Sequence, residues 1–431
     1  MRRISTTARA LNLLLTPAAR ARKSPEKAWA KIVAKAEAEV GADFGDDQAF
    51  VDDLGYVFHR FAEIPGLTGL GWSSTASDFQ SRLTNRLRIR HRHAERPEIG
   101  AEPIERPVFI VGLPRTATTL THRILANSRE HRGPLLWEML HTDVETDAKL
   151  RDRRIRDVEK RVAAVPKLSP ALNVMHPINA RGPEESLFLL PHTHYHLARA
   201  PLAGYREWLD ERDLTEDYRY LKQALQVLQY GRERRRWILK TPMDLFHLPV
   251  IHKVFPDATI IWTHRDPTTV IGSCCSMTET MWALSVKQVD RAAVGEFCLG
   301  LLAESVERGR DARAQLPAGT IVDVPYHVLS SDPHRYVPDL YEQLGAKWTD
   351  EDADNLAGVL ARPATDRKHE YDLADYGLTS NDVEAAFGDY PQLVNRINTW
   401  RAGSRLKPRN RAPASSTNLT SRAELPYEKA M

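Results

Sequence analysis

A mainly apolar run that ends in a polar turn and continues as a helix occurs three times in this 431-residue chain. The runs are residues 107–111, 237–240 and 259–263, and a further strand is predicted at 321–324. A continuous apolar run is typical of a strand that is buried on both faces, and strands that alternate with helices favour a parallel sheet. The sequence therefore predicts an α/β fold, with a parallel sheet flanked by helices.

The rest of the chain divides around this sheet. Residues 1–100 predict an N-terminal helical extension, and residues 101–400 predict the α/β domain. Residues 135–235 interrupt the domain with helical sequence, which is interpreted as a cap insertion over the ligand site. Residues 401–431 are basic, poor in large apolar residues and predicted to be a disordered tail. No run of about 18 apolar residues is present, so no spanning helix and a cytoplasmic location are expected.

The net charge of +3 hides an uneven distribution of charge. Residues 1–40 carry +6, residues 401–431 carry +5, and the residues between them carry −8. A nucleic-acid-binding domain concentrates positive charge on the fold itself, so this body argues against a nucleic acid partner. The three cysteines lack paired spacing, which argues against a disulfide framework and against a structural zinc site.

Apolar residues near the N-terminus fall on one helical stripe, with arginines elsewhere around the helix. The stripe consists of Ile4, Ala8, Leu11, Leu15 and Ala18. A basic amphipathic helix of this kind either lies on an anionic membrane surface or packs on the body of its own protein. Both interpretations stay open, and with them a peripheral contact with a membrane.

The first strand leads into residues 112–119, whose pattern is similar to the nucleotide-binding loop GxxxxGK[ST]. Ligands of an open α/β sheet bind beyond the carboxyl ends of its strands, and a helix N-terminus there favours a phosphate. Ala117 replaces the second glycine, and Thr118 replaces the lysine that binds the β- and γ-phosphates of ATP. Arg115 supplies a cation instead. The loop therefore predicts an anion site that is not suited to ordinary ATP hydrolysis.

A second anion-binding pattern follows the strand at 259–263. Arg265 stands at the strand end, and Ser273 follows eight residues later, near the second turn of the next helix. An arginine binds phosphate through two parallel hydrogen bonds. Two phosphate sites on neighbouring strand ends imply a nucleotide that is phosphorylated at two places rather than a linear triphosphate.

Together these segments resemble the PAPS-dependent sulfotransferases, and most closely a bacterial, often actinobacterial, branch of that family. Residues 114–119 resemble the family's 5′-phosphosulfate loop, and Arg265 with Ser273 resembles its 3′-phosphate motif. Other segments similar to this branch are residues 135–139, 183–185, 239–242, 369–373 and 376–378. The resemblance implies a P-loop-like fold, PAPS (3′-phosphoadenosine 5′-phosphosulfate) as co-substrate, no metal, and transfer of a sulfuryl group to a hydroxyl.

The resemblance also assigns roles to individual residues. The donor is expected to contact Arg115, Thr116, Ala117, Thr118, Thr119, Arg265, Ser273 and Tyr326, with Arg367 and Lys368 as a second contact to the 3′-phosphate. Arg115 and Lys240 are expected to stabilise the charge that develops on the leaving phosphate. The family usually has glycine where this chain has Ala117, so that alanine would be strained if its position needs a positive φ.

The acceptor hydroxyl needs a general base, and Glu138 is the first candidate. Its apolar neighbours in residues 135–140 would raise its pKa toward neutrality. It also occupies a place comparable to the glutamate base of the tyrosylprotein branch of the superfamily. Glu184 and Glu185 are the alternatives, either as the base or as anchors of the cap through ion pairs.

The cap contains four aromatic residues that favour an apolar small molecule or lipid as acceptor, although such residues more often belong to a core. They are Phe188, Tyr195, Tyr205 and Trp208. Two other classes of function stay open. A P-loop kinase, or another nucleotide-dependent phosphotransferase, would need a carboxylate for Mg²⁺, and Asp266 is the candidate. A non-catalytic nucleotide-binding protein would tolerate the loss of Arg115 and Glu138.

Three histidines alternate with other residues in the cap: His192, His194 and His196. On a strand they would share one face, as metal ligands often do. No fourth ligand accompanies them, so no metal site is predicted.

Overall fold

The computed structural model describes residues 3–144, 147–361 and 371–403. Within these ranges, five strands form one parallel sheet in the order β2-β3-β1-β4-β5. The strands are β1 (Val108–Gly112), β2 (His131–Arg132), β3 (Arg236–Lys240), β4 (Thr259–His264) and β5 (Ile321–Pro325). The predicted α/β class with a parallel sheet is confirmed. Arg367 and Lys368, and most of the predicted tail, lie outside the described residues.

Helices precede, interrupt and follow the sheet. Before β1 they are α1 (Thr6–Leu14), α2 (Thr16–Ala19), α3 (Pro25–Val40), α4 (Gln48–Glu63) and α5 (Gly69–Glu95). Between β1 and β3 they are α6 (Thr118–Ala126), α7 (Leu136–Leu140), α8 (Ala148–Leu168), α9 (Pro170–Met175), α10 (Tyr195–Arg199), α11 (Tyr205–Asp210) and α12 (Thr215–Gln229). From β3 onward they are α13 (Leu248–Val254), α14 (Pro267–Ser285), α15 (Arg291–Gln315), α16 (Tyr326–Ser331), α17 (Pro333–Gln343), α18 (Asp350–Leu360), α19 (Ser380–Phe387) and α20 (Tyr390–Gly403).

The two faces of the sheet belong to two separate buried clusters. Val108 and Ile110 of β1 pack in the smaller cluster, together with residues of α6 and α16–α18. Phe109 and Val111, which point the other way, pack in the larger cluster with the N-terminal helices and the helices between β2 and β3. Side chains alternate across a strand, so an apolar run is required when both faces are covered. This is why the apolar runs predict the strands so well.

Most of the N-terminal stripe packs on the body of the protein, whereas Ala18 is exposed. Ala8 is fully buried, and the Leu70 N–H donates a hydrogen bond of 2.8 Å to Asn12 Oδ1. Leu15 lies so close to Gly69 that a Cβ at that glycine would meet the Leu15 backbone at 2.8 Å. Leu13 and Leu14 are exposed on the other side of the helix. No helix within the described ranges combines the length and the apolar character that crossing a bilayer requires.

Arg3 fastens the N-terminal segment to α14. Its Nη2 donates to Glu279 Oε2 at 2.6 Å, and its Nη1 donates to Ser276 Oγ at 2.5 Å. Because hydrogen bonds to charged groups contribute about 1.5–3 kcal/mol, we expect Arg3→Ala to lower the free energy of unfolding by about 2 kcal/mol. Chemical denaturation measures this change. Arg9→Ala, at an exposed position of the same segment, is the control, and we expect a change below about 0.5 kcal/mol there. Equal effects of the two variants would contradict the anchoring role.

Candidate functional site

The loop between β1 and α6 has an unusual backbone. Gly112 has φ +134°, and a Cβ there would meet the Thr263 carbonyl oxygen of β4 at 2.6 Å. Arg115 and Ala117 have φ +70° and +69°, which is the left-handed region. The left-handed conformation costs a residue with a Cβ roughly 1–2 kcal/mol, so the backbone is strained at Ala117. The position does need a positive φ, and the alanine occupies it at a cost that the family's usual glycine avoids.

Threonines of the loop fasten it to neighbouring strands. Thr116 Oγ1 donates to the Leu113 carbonyl at 2.6 Å and lies 2.6 Å from Thr263 Oγ1 of β4, so its hydroxyl holds the turn in place. Thr118 is buried at the first position of α6. The Thr119 hydroxyl lies 3.5 Å from Lys240 Nζ at the end of β3. The first N–H groups of α6 therefore lie at the carboxyl edge of the sheet, as the anion site requires.

Four of the predicted donor-binding residues come together beside this loop. Arg115 Nε donates to Ser273 Oγ at 3.1 Å, and Arg115 Nη1 donates to the Met175 carbonyl at 2.8 Å. Arg265 Nη1 donates to the Arg115 carbonyl at 3.0 Å. The Arg265 guanidinium also lies 4.1 Å from the centre of the Tyr326 ring, a cation–π distance. Residues far apart in sequence thus place two guanidinium groups, a hydroxyl and an aromatic ring at one edge of the sheet.

Lys240 links the loop to two glutamates of the cap. It is 1% exposed, and its Nζ lies 2.5 Å from Glu185 Oε1 and 3.8 Å from Glu184 Oε1. Burial alone would raise the pKa of Glu184, but the hydrogen bond from His176 and the charges of His176 and Lys240 hold that pKa well below its ordinary value. The Lys240 ammonium is therefore a buried cation between the loop that follows β1 and a carboxylate pair, and not a solvated lysine.

The same carboxylates, together with His176, are spaced closely enough to hold a metal ion. Ligand atoms of His176, Glu184 and Glu185 all lie within 4.8 Å of one another. The Lys240 ammonium already supplies a positive charge to this cluster at 2.5 Å from Glu185. The three histidines of the cap do not converge. His192 Nδ1 lies 2.7 Å from Asp217 Oδ1, His194 stacks on Phe246, and His196 contacts the Pro191 carbonyl.

The structure places Glu138 apart from this group. Its carboxylate is buried and accepts hydrogen bonds from Arg132 Nη2 at 2.7 Å and from Arg232 Nη1 at 2.6 Å. The Leu135 N–H donates to its other oxygen at 3.2 Å, as in a capping box at the start of α7. Both oxygens are thus engaged in holding the cap. Glu138 is not among the residues that line the cavity described next. Its role as the base stays a prediction, and its ion pairs with Arg132 and Arg232 offer a structural role instead.

A cavity of about 220 Å³ lies beside the loop and Glu185. Much of its lining is apolar and comes from the cap, α14 and α15; it includes Leu172, Ile178, Phe188, Met277, Met281 and Phe297. Of the aromatic residues singled out in the sequence, Phe188 and Tyr195 line the cavity, whereas Tyr205 packs fully buried in the core and Trp208 stacks on Tyr56. The lining residues His176, Asp244 and His247 carry no local sequence signal and were missed.

Comparison with known proteins settles the family. The family model described as the sulfotransferase family matches residues 107–350, more than half of the chain. The chain belongs to the sulfotransferase family. The match includes the phosphate loop, Lys240, Arg265, Ser273 and Tyr326, so these residues lie within the part of the sulfotransferase that its relatives share.

Solved and curated relatives are bacterial. The crystal structure of sulfotransferase STF1 from Mycobacterium tuberculosis H37Rv has a TM-score of 0.73 and 29% identity, and the match covers 83% of this chain and 97% of that one. For STF9 from Mycobacterium avium the TM-score is 0.74 and the identity 26%, with 84% and 95% covered. The omega-hydroxy-beta-dihydromenaquinone-9 sulfotransferase Stf3 of Mycobacterium bovis is 26% identical over 253 residues, which are 56% of this chain and 62% of the relative. The match therefore spans less than two thirds of that relative. The predicted bacterial branch and P-loop-like fold are confirmed.

Proposed function

We propose that this sulfotransferase transfers the sulfuryl group of PAPS to a hydroxyl of an apolar small molecule or lipid. One observation carries the proposal: Arg115, Arg265, Ser273 and Tyr326 meet at the phosphate loop, and the buried Lys240 lies between that loop and an apolar cavity. An anion site next to an apolar site suits a reaction that transfers a group from a charged donor to an apolar acceptor.

The donor would occupy the carboxyl edge of the sheet. Arg265 and Ser273 would bind the 3′-phosphate, and the loop from Arg115 to Thr119 would bind the 5′-phosphosulfate with its N–H groups and hydroxyls. Tyr326, whose ring lies against Arg265, would contact the adenine. Arg367 and Lys368 stay proposed as a second contact to the 3′-phosphate, outside the described residues.

In the transfer step, the acceptor oxygen forms a bond to sulfur while the bond from sulfur to the bridging oxygen of the donor breaks. The electron pair of that bond stays on the 5′-phosphate. Preorganised cations at developing charge are usually the largest catalytic contribution. With Arg265 assigned to the 3′-phosphate, Arg115 and Lys240 would stabilise the charge on the leaving phosphate. Lys240 Nζ is only 3.5 Å from the Thr119 hydroxyl, which supports a role for it beside the proposed phosphate site.

The acceptor proton needs a base, and the geometry favours Glu185 over Glu138 and Glu184. Glu185 lines the cavity and contacts Lys240, so a hydroxyl bound there would lie near both the base and the leaving group. Glu184 accepts hydrogen bonds from its neighbours and has a lowered pKa, which makes it a weaker base. Glu138 is engaged by two arginines. The acceptor proton would pass to the Glu185 carboxylate as the new bond to sulfur forms.

The apolar lining of the cavity supports an apolar acceptor. The name of the Mycobacterium bovis relative gives a hydroxylated menaquinone derivative as its substrate, which is a lipid-like molecule with a hydroxyl. That agrees with the class of acceptor proposed here. A kinase is less well supported, because Asp266 caps α14 by accepting hydrogen bonds from the Thr268 N–H at 2.9 Å and hydroxyl at 2.7 Å.

A thermal-shift comparison of two nucleotides tests the proposal. We expect 3′,5′-bisphosphoadenosine to stabilise the protein, by about 2.7 kcal/mol at a concentration of roughly 100 times Kd, and ATP with Mg²⁺ to stabilise it far less. The stabilised sample should then transfer radiolabelled sulfuryl from PAPS to long-chain alcohols. A preference for ATP with Mg²⁺ would favour the kinase, and no shift with either nucleotide would contradict nucleotide binding altogether.

A further inference from the structure

Part of the acceptor cavity is lined by buried polar groups whose hydrogen-bonding capacity is unused. Asp244 is 2% exposed, and its Oδ1 accepts a hydrogen bond of 2.9 Å from the Tyr218 hydroxyl. Its Oδ2 has no hydrogen-bond partner among the described residues, and neither does Nε2 of His194 or Nε2 of His247. All four residues line the cavity. His192, which also lines the cavity, has an unpartnered Nε2 as well, although its Nδ1 is engaged by Asp217. Buried polar atoms are nearly always hydrogen-bonded, so four unpartnered atoms in one cavity point to a ligand.

These groups come from three parts of the fold and lie close to one another. Asp244 and His247 belong to the short 3-10 helix after β3, at Pro242–His247, Tyr218 belongs to α12, and His194 directly precedes α10. The rings of His194 and His247 are stacked with their centres 5.3 Å apart, and the Tyr218 ring lies 6.1 Å from His247. We call Asp244, His194 and His247 the polar subsite. It contrasts with the apolar lining from Leu172, Phe188, Met277 and Met281 elsewhere in the cavity.

The protonation of the subsite defines what it can bind. Burial lowers the pKa of His194, and it lowers that of His247 to about 4, so both rings are neutral near pH 7. Burial raises the pKa of Asp244 to about 7. A neutral imidazole with its proton on Nε2 is a donor, and the Asp244 carboxyl, whose pKa lies near neutrality, accepts a hydrogen bond when ionised and donates one when protonated. A hydroxyl matches both forms, because it donates and accepts at once, whereas a ketone or ether oxygen only accepts and leaves the ionised form unpaired.

We propose that the polar subsite binds a second hydroxyl of the acceptor, one that is not sulfated. This inference rests on the proposed function, since it assigns the cavity to the acceptor. The acceptor is then an apolar molecule with two hydroxyls, one presented to Glu185 and the other held by Asp244 with a histidine. A site built to hydrogen-bond a substrate hydroxyl discriminates strongly against the analogue that lacks it.

Binding of matched alcohols tests the subsite without relying on turnover. Decanol and decanediols, with the second hydroxyl placed at successive carbons, are titrated into protein loaded with 3′,5′-bisphosphoadenosine, and Kd is measured by calorimetry. We expect the best diol to bind wild-type protein at least about 10-fold more tightly than decanol. Asp244→Leu should abolish this preference. Thr278→Val, a substitution of similar size in the same cavity lining, should keep it.

Each outcome is decisive. Equal affinity for decanol and every diol, including no binding of any of them, would overturn the subsite. Asp244→Ala, which leaves no polar atom at this position, replaces Asp244→Leu if the latter does not fold, and a retained diol preference in that variant would also overturn it. If the Asp244 variant still bound decanol but no longer transferred sulfuryl to it, Asp244 would be the base, and the proposal would be refuted. An intact diol preference without any sulfuryl transfer from PAPS would instead refute the proposed function alone.

Discussion

Glu185→Gln is expected to lower kcat by a factor of about 10²–10⁴ and to leave the affinity for 3′,5′-bisphosphoadenosine almost unchanged. The amide is nearly the same size as the carboxylate but does not accept the acceptor proton. Glu185 is also close to Lys240, with 2.5 Å between Oε1 and Nζ, so the substitution removes a negative charge beside that ammonium. Single-turnover transfer from PAPS to decanol measures the chemical step directly.

The two other glutamates are the controls for this prediction. Glu138→Gln weakens two ion pairs with Arg132 and Arg232, so it should lower stability and leave the kcat of folded protein within about threefold of wild type. Glu184→Gln removes one carboxylate of the pair and keeps Glu185, so it should lower kcat less than Glu185→Gln does. If Glu138→Gln alone abolished turnover in folded, nucleotide-binding protein, the base would be Glu138, as the sequence predicts.

Arg265→Ala is expected to weaken binding of 3′,5′-bisphosphoadenosine by about 30-fold to 3000-fold. Truncating one partner of a desolvated charge pair costs about 2–5 kcal/mol, and each 1.4 kcal/mol is a factor of ten. The substitution also removes the hydrogen bond to the Arg115 carbonyl and the contact with the Tyr326 ring, so the loop loses support. Calorimetric titration of the nucleotide measures the change in Kd.

Two further variants make this result specific. Arg265→Lys keeps the charge but loses the planar fork, so it should fall between wild type and Arg265→Ala. Arg308→Ala removes an arginine that lies over Phe246 and pairs with Asp210, away from the phosphate loop, and should change Kd by less than about threefold. A loss as large at Arg308 as at Arg265 would show a general effect of net charge rather than a phosphate contact.

The grouping of the residues proposed to bind the donor could be predicted from the sequence because most of them follow strand ends. Parallel strands end at one edge of the sheet, so the residues after β1, β3 and β4 must meet there. The strands themselves follow from apolar runs. Of the five strands within the described residues, β2 alone escaped prediction, since its two residues, His131 and Arg132, form no apolar run.

The acceptor side could not be predicted in the same way, because it depends on contacts between distant segments. The apolar neighbours of Glu138 suggest a raised pKa, but Arg232, 94 residues later, donates to its carboxylate. Glu185 meets Lys240 across 55 residues, and Asp244 meets Tyr218 across 26. Nothing in the local pattern of these residues encodes the pairing. For Ala117, the sequence shows that an alanine replaces the usual glycine, but it does not predict the sign of φ. The backbone of the structure shows that φ is positive.

The anchoring of Arg3 has a practical consequence for how the protein is purified. Ser276, which accepts a hydrogen bond from Arg3, lies three residues after Ser273 on α14. A peptide fused directly ahead of Arg3 would be adjacent in sequence to this anchor. Nucleotide affinities are therefore best compared on protein from which any N-terminal tag has been cleaved, or on protein tagged at its other end.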